Sequence, residues 1–138
     1  MDFEHDSVVR YCKPSQCEDG KPLAGAFILR KKDPILGRPE DETELSVDHY
    51  EYFESDNYKN IINALKKRNF KVNSNGCLAK IHYADVKEDI KNSINVNIDI
   101  EPTEKSHMVI KNLYNNDEAA SYIFLRNITE SVKISEFQ

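Results

Sequence analysis

INVNIDI, residues 94–100, is the stretch that decides the expected fold of this chain. Isoleucine or valine occupies every second position, and asparagine or aspartate fills the positions between them. Because successive side chains of a β-strand point to opposite faces, this alternation predicts a strand with one buried and one solvated face. Sheets with a solvated face are commonly antiparallel. The stretch therefore predicts a mixed or largely antiparallel sheet, in a strand that ends at Pro102.

Strands and helices are predicted on both sides of that stretch. Short apolar runs bounded by turn-forming residues predict further strands at 7–12, 24–31, 77–83 and 107–110. Apolar stripes at helical spacing predict helices at 58–69, 85–92 and 117–132. The stripe expected to bury in the last helix consists of Ala120, Ile123, Phe124 and Ile128. The order of elements predicts an α+β fold with about three helices packed mainly on one face of the sheet.

The length and composition indicate a single domain over residues 1–138. A chain of 138 residues is of ordinary single-domain size. Hydrophobic residues make up 39% of it and recur throughout, so it can bury a modest core and is not of a disordered type. Residues 1–6 are expected to fray. Residues 32–44, which hold two prolines and many acids, are expected to form a mobile loop.

The charge and the apolar runs bear on partners and location. A net charge of −5 repels phosphate backbones, and the basic runs 30–32 and 66–68 are interpreted as solvated surface, so no nucleic-acid partner is expected. No apolar run approaches the roughly 18 residues of a membrane helix, so no membrane partner is expected. The start MDFEHDSVV lacks the apolar segment of a signal peptide. With three cysteines in no disulfide framework, these features predict a cytoplasmic protein.

No metal or cofactor is expected from the motifs. Cys12 and Cys17 are spaced more widely than usual zinc ligand pairs, and nothing in the spacing places Cys77 beside them. His49 and Glu51 are two residues apart, which does not match the H-E-x-x-H zinc motif. Glu51 is instead expected to complete a capping box for a helical turn that follows residue 48. The chain also lacks the glycine-rich motifs of phosphate-binding loops.

Two groups of polar residues are candidates for a functional site. Arg10, Ser15 and Gln16 lie near a strand end and a proline turn, where a cation, a hydroxyl and an amide could bind a carboxylate or a phosphate. They could equally hold a loop by bonding backbone carbonyls. His107 could act as a general acid or base, because the ordinary pKa of histidine lies near neutrality. The alternative is that Ser106 caps a turn and His107 is a partly buried strand residue.

Four segments resemble a group of small bacterial proteins of unknown function. They are RYCKPSQ (10–16), GKPLAGAFILR (20–30), LSVDHYEYF (45–53) and PTEKSHMVI (102–110). The forms typical of that group are R-Y-x-x-P-S-Q, A-F-x-x-R, L-S-V-x-W-x-E and D-P-S-H-A. This chain differs at His49 and Tyr50, near the tryptophan, and at Lys105, where proline is usual. The resemblance implies no known reaction, but it implies one constellation made of Arg10, Ser15, Gln16, Arg30, Ser46, Glu51, Ser106 and His107.

Two functions from different classes remain open. The favoured one is a non-catalytic interaction or accessory module with a protein partner, because the chain is small and lacks a complete catalytic motif. The alternative is a small enzyme or ligand-binding protein for a phosphate-bearing or nucleotide-like molecule. In that case His107 is the catalytic residue, and the ligand-binding residues are Arg10, Ser15, Gln16, Arg30 and Ser106. The two hypotheses differ in whether Arg10, Gln16, Arg30 and His107 converge in one pocket.

Overall fold

An antiparallel sheet of six strands organises the residues that the computed structural model describes, 3–138. The strands of this region are β1 (Ser7–Cys12), β2 (Cys17–Glu18), β3 (Lys21–Pro22), β4 (Leu45–His49), β5 (Cys77–His82), β6 (Asp99–Glu104), β7 (His107–Lys111) and β8 (Ile128–Lys133). The order across the large sheet is β6-β7-β4-β1-β5-β8, and each neighbouring pair is antiparallel. β2 and β3 form a separate short ladder. The predicted α+β fold with a largely antiparallel sheet is confirmed.

The helices of this region are α1 (Asn57–Lys67), α2 (Tyr83–Ile94) and α3 (Asp117–Arg126). α2 and α3 share one face of the sheet, where Phe124 joins the larger core with Val8. α1 covers the other face, where Ile61 and Leu65 pack with Val9. Neighbouring residues of β1 enter different cores because strand side chains alternate. None of the helices within 3–138 is long and apolar enough to span a membrane.

Residues 94–100 differ from the predicted strand over most of their length. α2 extends into the stretch, and Asn95 ends it in the left-handed conformation with φ 55°. Ile98 is nevertheless fully buried in the larger core. The stretch keeps its buried face but lacks a ladder partner until Asp99, where β6 begins to pair with β7. Pro102 lies within β6, which tolerates it because β6 is an edge strand whose register shifts directly after the proline.

The strand expected at 24–31 is absent because this segment bonds to a helix rather than to a strand. Its first half is the 3-10 turn Ala24–Phe27. The Leu29 N–H then donates to a carboxylate oxygen of Asp117, the first residue of α3, at 3.0 Å. The segment therefore packs on α3, and the Phe27 ring stacks on that helix within the core.

The last helix is shorter than expected. α3 ends at Arg126, and residues 128–133 form β8, the edge strand beside β5. Asn127 lies between the two elements and donates from its side chain to the Ile123 carbonyl at 2.8 Å. A side-chain amide in this position satisfies one of the carbonyls that a helix C-terminus leaves without an intrahelical partner. The helix therefore ends where the chain joins the sheet.

The segment expected to fray contacts the core as far as the structure describes it. Residues 1–2 lie outside the described part of the chain. Phe3–His5 form a 3-10 turn, and the Phe3 ring meets the His49 ring edge-on with 5.3 Å between centroids. The Asp6 carbonyl accepts from the Tyr83 N–H at 3.1 Å.

The loop 32–44 contains hydrogen bonds that connect its two halves. Asp33 and Arg38 form an isolated β-bridge that closes the 3-10 turn Pro34–Leu36. The Lys32 N–H donates to an Asp41 carboxylate oxygen at 2.7 Å. The expected mobility of the loop stays a prediction.

Gly76→Ala should lower the free energy of unfolding by about 1–3 kcal/mol, as overpacking does in a filled core. A Cβ at this position would lie 2.6 Å from the Cys12 carbonyl oxygen and 3.0 Å from a Tyr11 ring carbon. Gly25→Ala is the matched control, because a Cβ there meets nothing within 4 Å. Urea unfolding curves of both variants give the comparison. Equal midpoints for the two variants would contradict the close approach at Gly76.

Candidate functional site

A cavity of about 190 Å³ opens where β1 and β4 separate. These strands pair through only two registered positions, Val8 with His49 and Val9 with Asp48. Beyond them the Arg10 side chain reaches across. Its Nε donates to the Ala26 carbonyl at 2.9 Å, and its Nη1 donates to the Ser46 carbonyl of β4 at 2.8 Å. We call this cavity the basic cleft.

The basic cleft carries an excess of positive charge. Two carboxylates line it, those of Glu42 and Asp48, against five cations, which are Arg10, Lys13, Arg30, Arg68 and Lys71. Each carboxylate is already paired with an arginine. Five cations against two carboxylates leave three positive charges uncompensated within the lining, in a chain whose net charge is −5. A local field of this sign attracts anions.

Arg30 and Glu42 form a two-pronged ion pair at the rim of the cleft. Arg30 Nε and Nη2 each donate to one Glu42 carboxylate oxygen at 3.0 Å, and the Arg30 N–H donates to Oε1 at 2.6 Å. Burial favours the neutral carboxyl, but the hydrogen bonds and charge of Arg30 outweigh it, so the pKa of Glu42 lies below its usual value. Glu42 therefore holds the Arg30 side chain in place, although it belongs to the loop 32–44 that was expected to be mobile.

Asp48 lies buried at the inner wall and holds Arg68 in place. Its two carboxylate oxygens accept from Arg68 Nη1 at 3.0 Å and Nη2 at 2.9 Å. The Ser106 hydroxyl also donates to Asp48 Oδ1, at 2.9 Å. Asp48 was expected to cap a helical turn, with Glu51 completing the capping box, but it belongs to β4, which runs on to His49, and its carboxylate is buried in these contacts instead. A 3-10 turn, Tyr50–Tyr52, begins two residues later.

Arg10 is the only arginine of the cleft lining without a carboxylate partner among the described residues. Burial lowers the pKa of its guanidinium, although an arginine stays charged in proteins. Its two bonds to backbone carbonyls leave three of its five N–H groups without an acceptor in the described part of the chain. Arg10 thus bonds backbone carbonyls, as one interpretation of the sequence expected, and its remaining donors are at a cavity. The binding of an anion by Arg10 stays a prediction.

The remaining predicted site residues fall in different places. Gln16 lines the cleft, but its amide is engaged by the loop, with Nε2 donating to the Gly25 carbonyl at 3.3 Å. Ser15 is exposed and lies outside the lining. Ser106 is fully buried on Asp48. The structure therefore brings four members of the implied constellation together in the cleft lining, Arg10, Gln16, Arg30 and Ser46. The other four lie outside that lining: Ser15, Glu51, Ser106 and His107.

His107 lies outside the cleft lining, on β7. Its Nδ1 contacts the Thr103 hydroxyl. Burial, and then the charge of Arg68, lower the pKa of His107, with Asp48 opposing the shift. Because the His107 imidazole does not line the basic cleft, it is not placed to exchange a proton with a molecule bound there. Of the four residues whose convergence was in question, Arg10, Gln16 and Arg30 line the cleft and His107 does not.

Lys13, Arg68 and Lys71 complete the cleft and were not singled out from the sequence. Arg68 belongs to the basic run 66–68, which was interpreted as solvated surface. Its side chain instead pairs with Asp48, because a buried carboxylate needs a cation beside it. Lys13 stands inside the segment 10–16 that was considered for anion binding, so its position was an available signal. Neither Lys13 nor Lys71 makes an ion pair within residues 3–138.

Asp6, His49 and Glu51 form a second polar cluster, whose ligand atoms all lie within 4.8 Å of one another. These residue types could hold a divalent metal. Each group already has a protein partner, since His49 Nε2 bonds Asp6 Oδ2 at 2.7 Å and both Glu51 oxygens accept from the Ser7 N–H at 2.8 and 3.0 Å. Hydrogen bonds to protein groups therefore account for all three side chains of the cluster.

The three cysteines lie close together as free thiols. Cys12 and Cys77 are register partners in β1 and β5. Burial raises the pKa of Cys17 to about 12. A hydrogen bond with Cys12, followed by burial, also raises the pKa of Cys77. The Cys17 and Cys77 thiols are therefore held in the protonated form near neutral pH, which disfavours both nucleophilic attack and metal binding by them.

No protein-family model, no curated protein and no solved structure matches this chain. What the basic cleft can bind is therefore inferred from its own residues.

Proposed function

We propose that this protein binds a small phosphate-bearing molecule in the basic cleft and acts as a binding module rather than as an enzyme. The observation that carries the proposal is Arg10, a half-buried cation that lines the cavity, forms no ion pair within residues 3–138 and keeps unused N–H donors there. Desolvating a charge without a partner is unfavourable, and a bound anion would supply that partner. A phosphate dianion would also offset most of the positive excess of the lining.

A binding role is favoured over catalysis by the position of His107. The imidazole proposed as acid or base does not line the cleft, both carboxylates there are paired with arginines, and the Gln16 amide holds a loop. Positioned cations and amides bind and orient an anion. General acid–base catalysis needs a group within hydrogen-bond reach of the transferred proton.

The protein partner that was favoured from the sequence is supported by one exposed pair of apolar side chains. Ile35 and Leu36 are 94% and 69% exposed at the tip of the loop that precedes β4. Two side chains supply only a fraction of the roughly 800 Å² that each partner buries in a standard interface. The described surface therefore supports ligand binding more strongly than stable association with a protein.

Calorimetric titration with inorganic phosphate at low ionic strength should show saturable binding to the wild-type protein. Lys71→Ala should weaken it by about three- to tenfold, because an exposed lysine contributes modestly to binding a charged group. Lys66→Ala is the control: it removes the same charge from an exposed position outside the cleft and should leave affinity within about twofold. Arg10→Lys should weaken binding more than Lys71→Ala, since it keeps the charge but loses the planar fork of donors.

Melting curves of each variant separate loss of binding from loss of folding, because Arg10 also bonds two backbone carbonyls. The proposal is overturned if phosphate gives no saturable heat, or if Lys66→Ala and Lys71→Ala lower the affinity equally. Equal losses would show that phosphate responds to the net charge of the surface and not to the cleft.

A further inference from the structure

A second cavity, of about 240 Å³, adjoins the basic cleft and shares Arg68 with it. It lies between α1, the turn after β4 and the connection from β6 to β7. Its walls include two asparagine side chains, Asn60 and Asn63, and the rings of Tyr52 and Phe53. We call it the amide cavity. Small-molecule sites usually measure about 300–1,000 Å³, so each cavity alone falls below that range while the two together fall within it.

Arg68 forms the boundary between the two cavities and is fixed there. Its bonds to the buried Asp48 use two of its five N–H groups, which leaves others for a molecule that passes from one cavity to the other. Because Asp48 holds the guanidinium from the protein side, Arg68 needs no rearrangement before it contacts a ligand. A molecule that fills both cavities would therefore contact, near its own middle, a cation that is already held in position.

The amide cavity has the chemistry of a site for a planar heterocycle. The Asn63 side chain has no hydrogen-bond partner in the described part of the chain, so its amide offers both a donor and an acceptor. Asn60 donates to the Ser55 carbonyl at 2.9 Å and keeps its oxygen free to accept. The Tyr52 ring is 45% exposed and sits edge-on to Phe53, which leaves an aromatic surface for stacking. Asparagine amides and aromatic rings are the groups that proteins use to hydrogen-bond and stack nucleobases.

We propose that the ligand is a nucleoside monophosphate, with its phosphate at Arg10 in the basic cleft and its base in the amide cavity. This inference rests on the proposed phosphate binding and adds the identity of the group attached to the phosphate. Lys67 and Lys105 also line the amide cavity, but Glu104 stands beside them. Its carboxylate disfavours a phosphate there, whereas no carboxylate of the basic cleft lacks an arginine. The charges therefore place the phosphate in the basic cleft.

The test titrates the wild-type protein with inorganic phosphate and with each of the four common ribonucleoside 5′-monophosphates. At least one nucleotide should bind about tenfold or more tightly than phosphate, which corresponds to roughly 1.4 kcal/mol of added contact from the base. Asn63→Ala should weaken nucleotide binding by about three- to tenfold and leave the affinity for inorganic phosphate unchanged. Alanine is a strong helix former, so this exposed position of α1 should fold normally.

Lys71→Ala should weaken phosphate and nucleotide by the same factor, because it acts on the group they share. Asn92→Ala, an exposed asparagine of α2 outside both cavities, should change neither affinity. Phosphate binding without tighter binding of any nucleotide would overturn the nucleotide inference and leave the phosphate proposal standing. Tighter nucleotide binding that survives Asn63→Ala would overturn the placement of the base. A protein that binds neither probe would overturn both proposals.

Discussion

Phe124→Ala should lower the free energy of unfolding by about 3–5 kcal/mol, the usual loss for deleting a buried aromatic ring. Phe124 is 1% exposed, and its ring stacks on that of Phe27 with centroids 5.2 Å apart and planes 5° from parallel. The substitution removes that contact and leaves a cavity between α3 and the 3-10 turn Ala24–Phe27. A domain of this size has about 5–15 kcal/mol of total stability, so a large share would be lost.

Urea or guanidinium unfolding followed by far-UV circular dichroism measures this loss. Tyr122→Ala is the matched control, because it deletes an aromatic ring from the same helix at a side chain that is 67% exposed. Its change should stay within about 0.5 kcal/mol, as for most surface substitutions. If Phe124→Ala and Tyr122→Ala unfold at the same denaturant concentration, α3 is not packed on the sheet in the manner described.

The Phe27–Phe124 contact also connects the core to the basic cleft. Phe27 ends the 3-10 turn whose Ala26 carbonyl accepts from Arg10 Nε at 2.9 Å. Packing of α3 against the turn therefore helps to fix the acceptor that orients the guanidinium. We infer that the cleft depends on the larger core, although no core side chain needs to touch the ligand.

Sequence patterns predicted burial better than they predicted hydrogen bonding. Ile98 is fully buried and Ile94 and Ile100 pack against the same core, as the alternation in 94–100 indicated. Alternation reports which side chains leave water, and it does not report whether a neighbouring strand supplies donors and acceptors. Most of that stretch has no ladder partner, so it became the end of a helix and a connection. The α+β class was still predicted correctly, because several short strands supported it independently.

The end of the last helix depended on tertiary contacts that periodicity cannot show. The apolar residue Ile128 continues the helical stripe of Ala120 and Phe124, yet it lies in β8 beside β5. The side chain of Asn127 bonds both the Ile123 carbonyl and Asp89, each at 2.8 Å. Asp89 is in α2, so the contact that ends α3 comes from a residue 38 positions earlier. Local propensity alone carries no information about that partner.

Sequence reasoning selected the cleft residues that share one short segment. It missed those that the fold brings in from another part of the chain. Arg10 and Gln16 stand in one short strand-and-turn segment, and both reach the cleft. Arg68 and Lys71 follow α1, whose Leu65 packs with Val9 of β1, and both line the same cleft. A pattern read along the chain shows no reason for those residues to meet Arg10.

Asp48→Ala should lower the free energy of unfolding by about 3–5 kcal/mol, because removing one partner of a buried ion pair leaves the other charge without compensation. The change strips Arg68 of both its bonds to Asp48 and leaves the buried Ser106 hydroxyl without its acceptor. Asp85→Ala is the control. Asp85 is 67% exposed and its pairing with His82 lies at the surface, so its loss should change stability by less than about 1 kcal/mol.

A double substitution tests whether the loss arises from the unpaired charge or from the space that Asp48 fills. Asp48→Ala combined with Arg68→Met removes both charges, so the pair should lose less stability than the sum of the two single variants by about 0.5–3 kcal/mol. Strict additivity would mean that the carboxylate and the guanidinium do not interact as their 2.9–3.0 Å contacts indicate. Asp48→Asn keeps an acceptor for Ser106 and one for Arg68, so it should fall between the wild type and Asp48→Ala. That order, measured by unfolding at fixed pH, would establish Asp48 as the residue that holds Arg68 at the boundary of the two cavities.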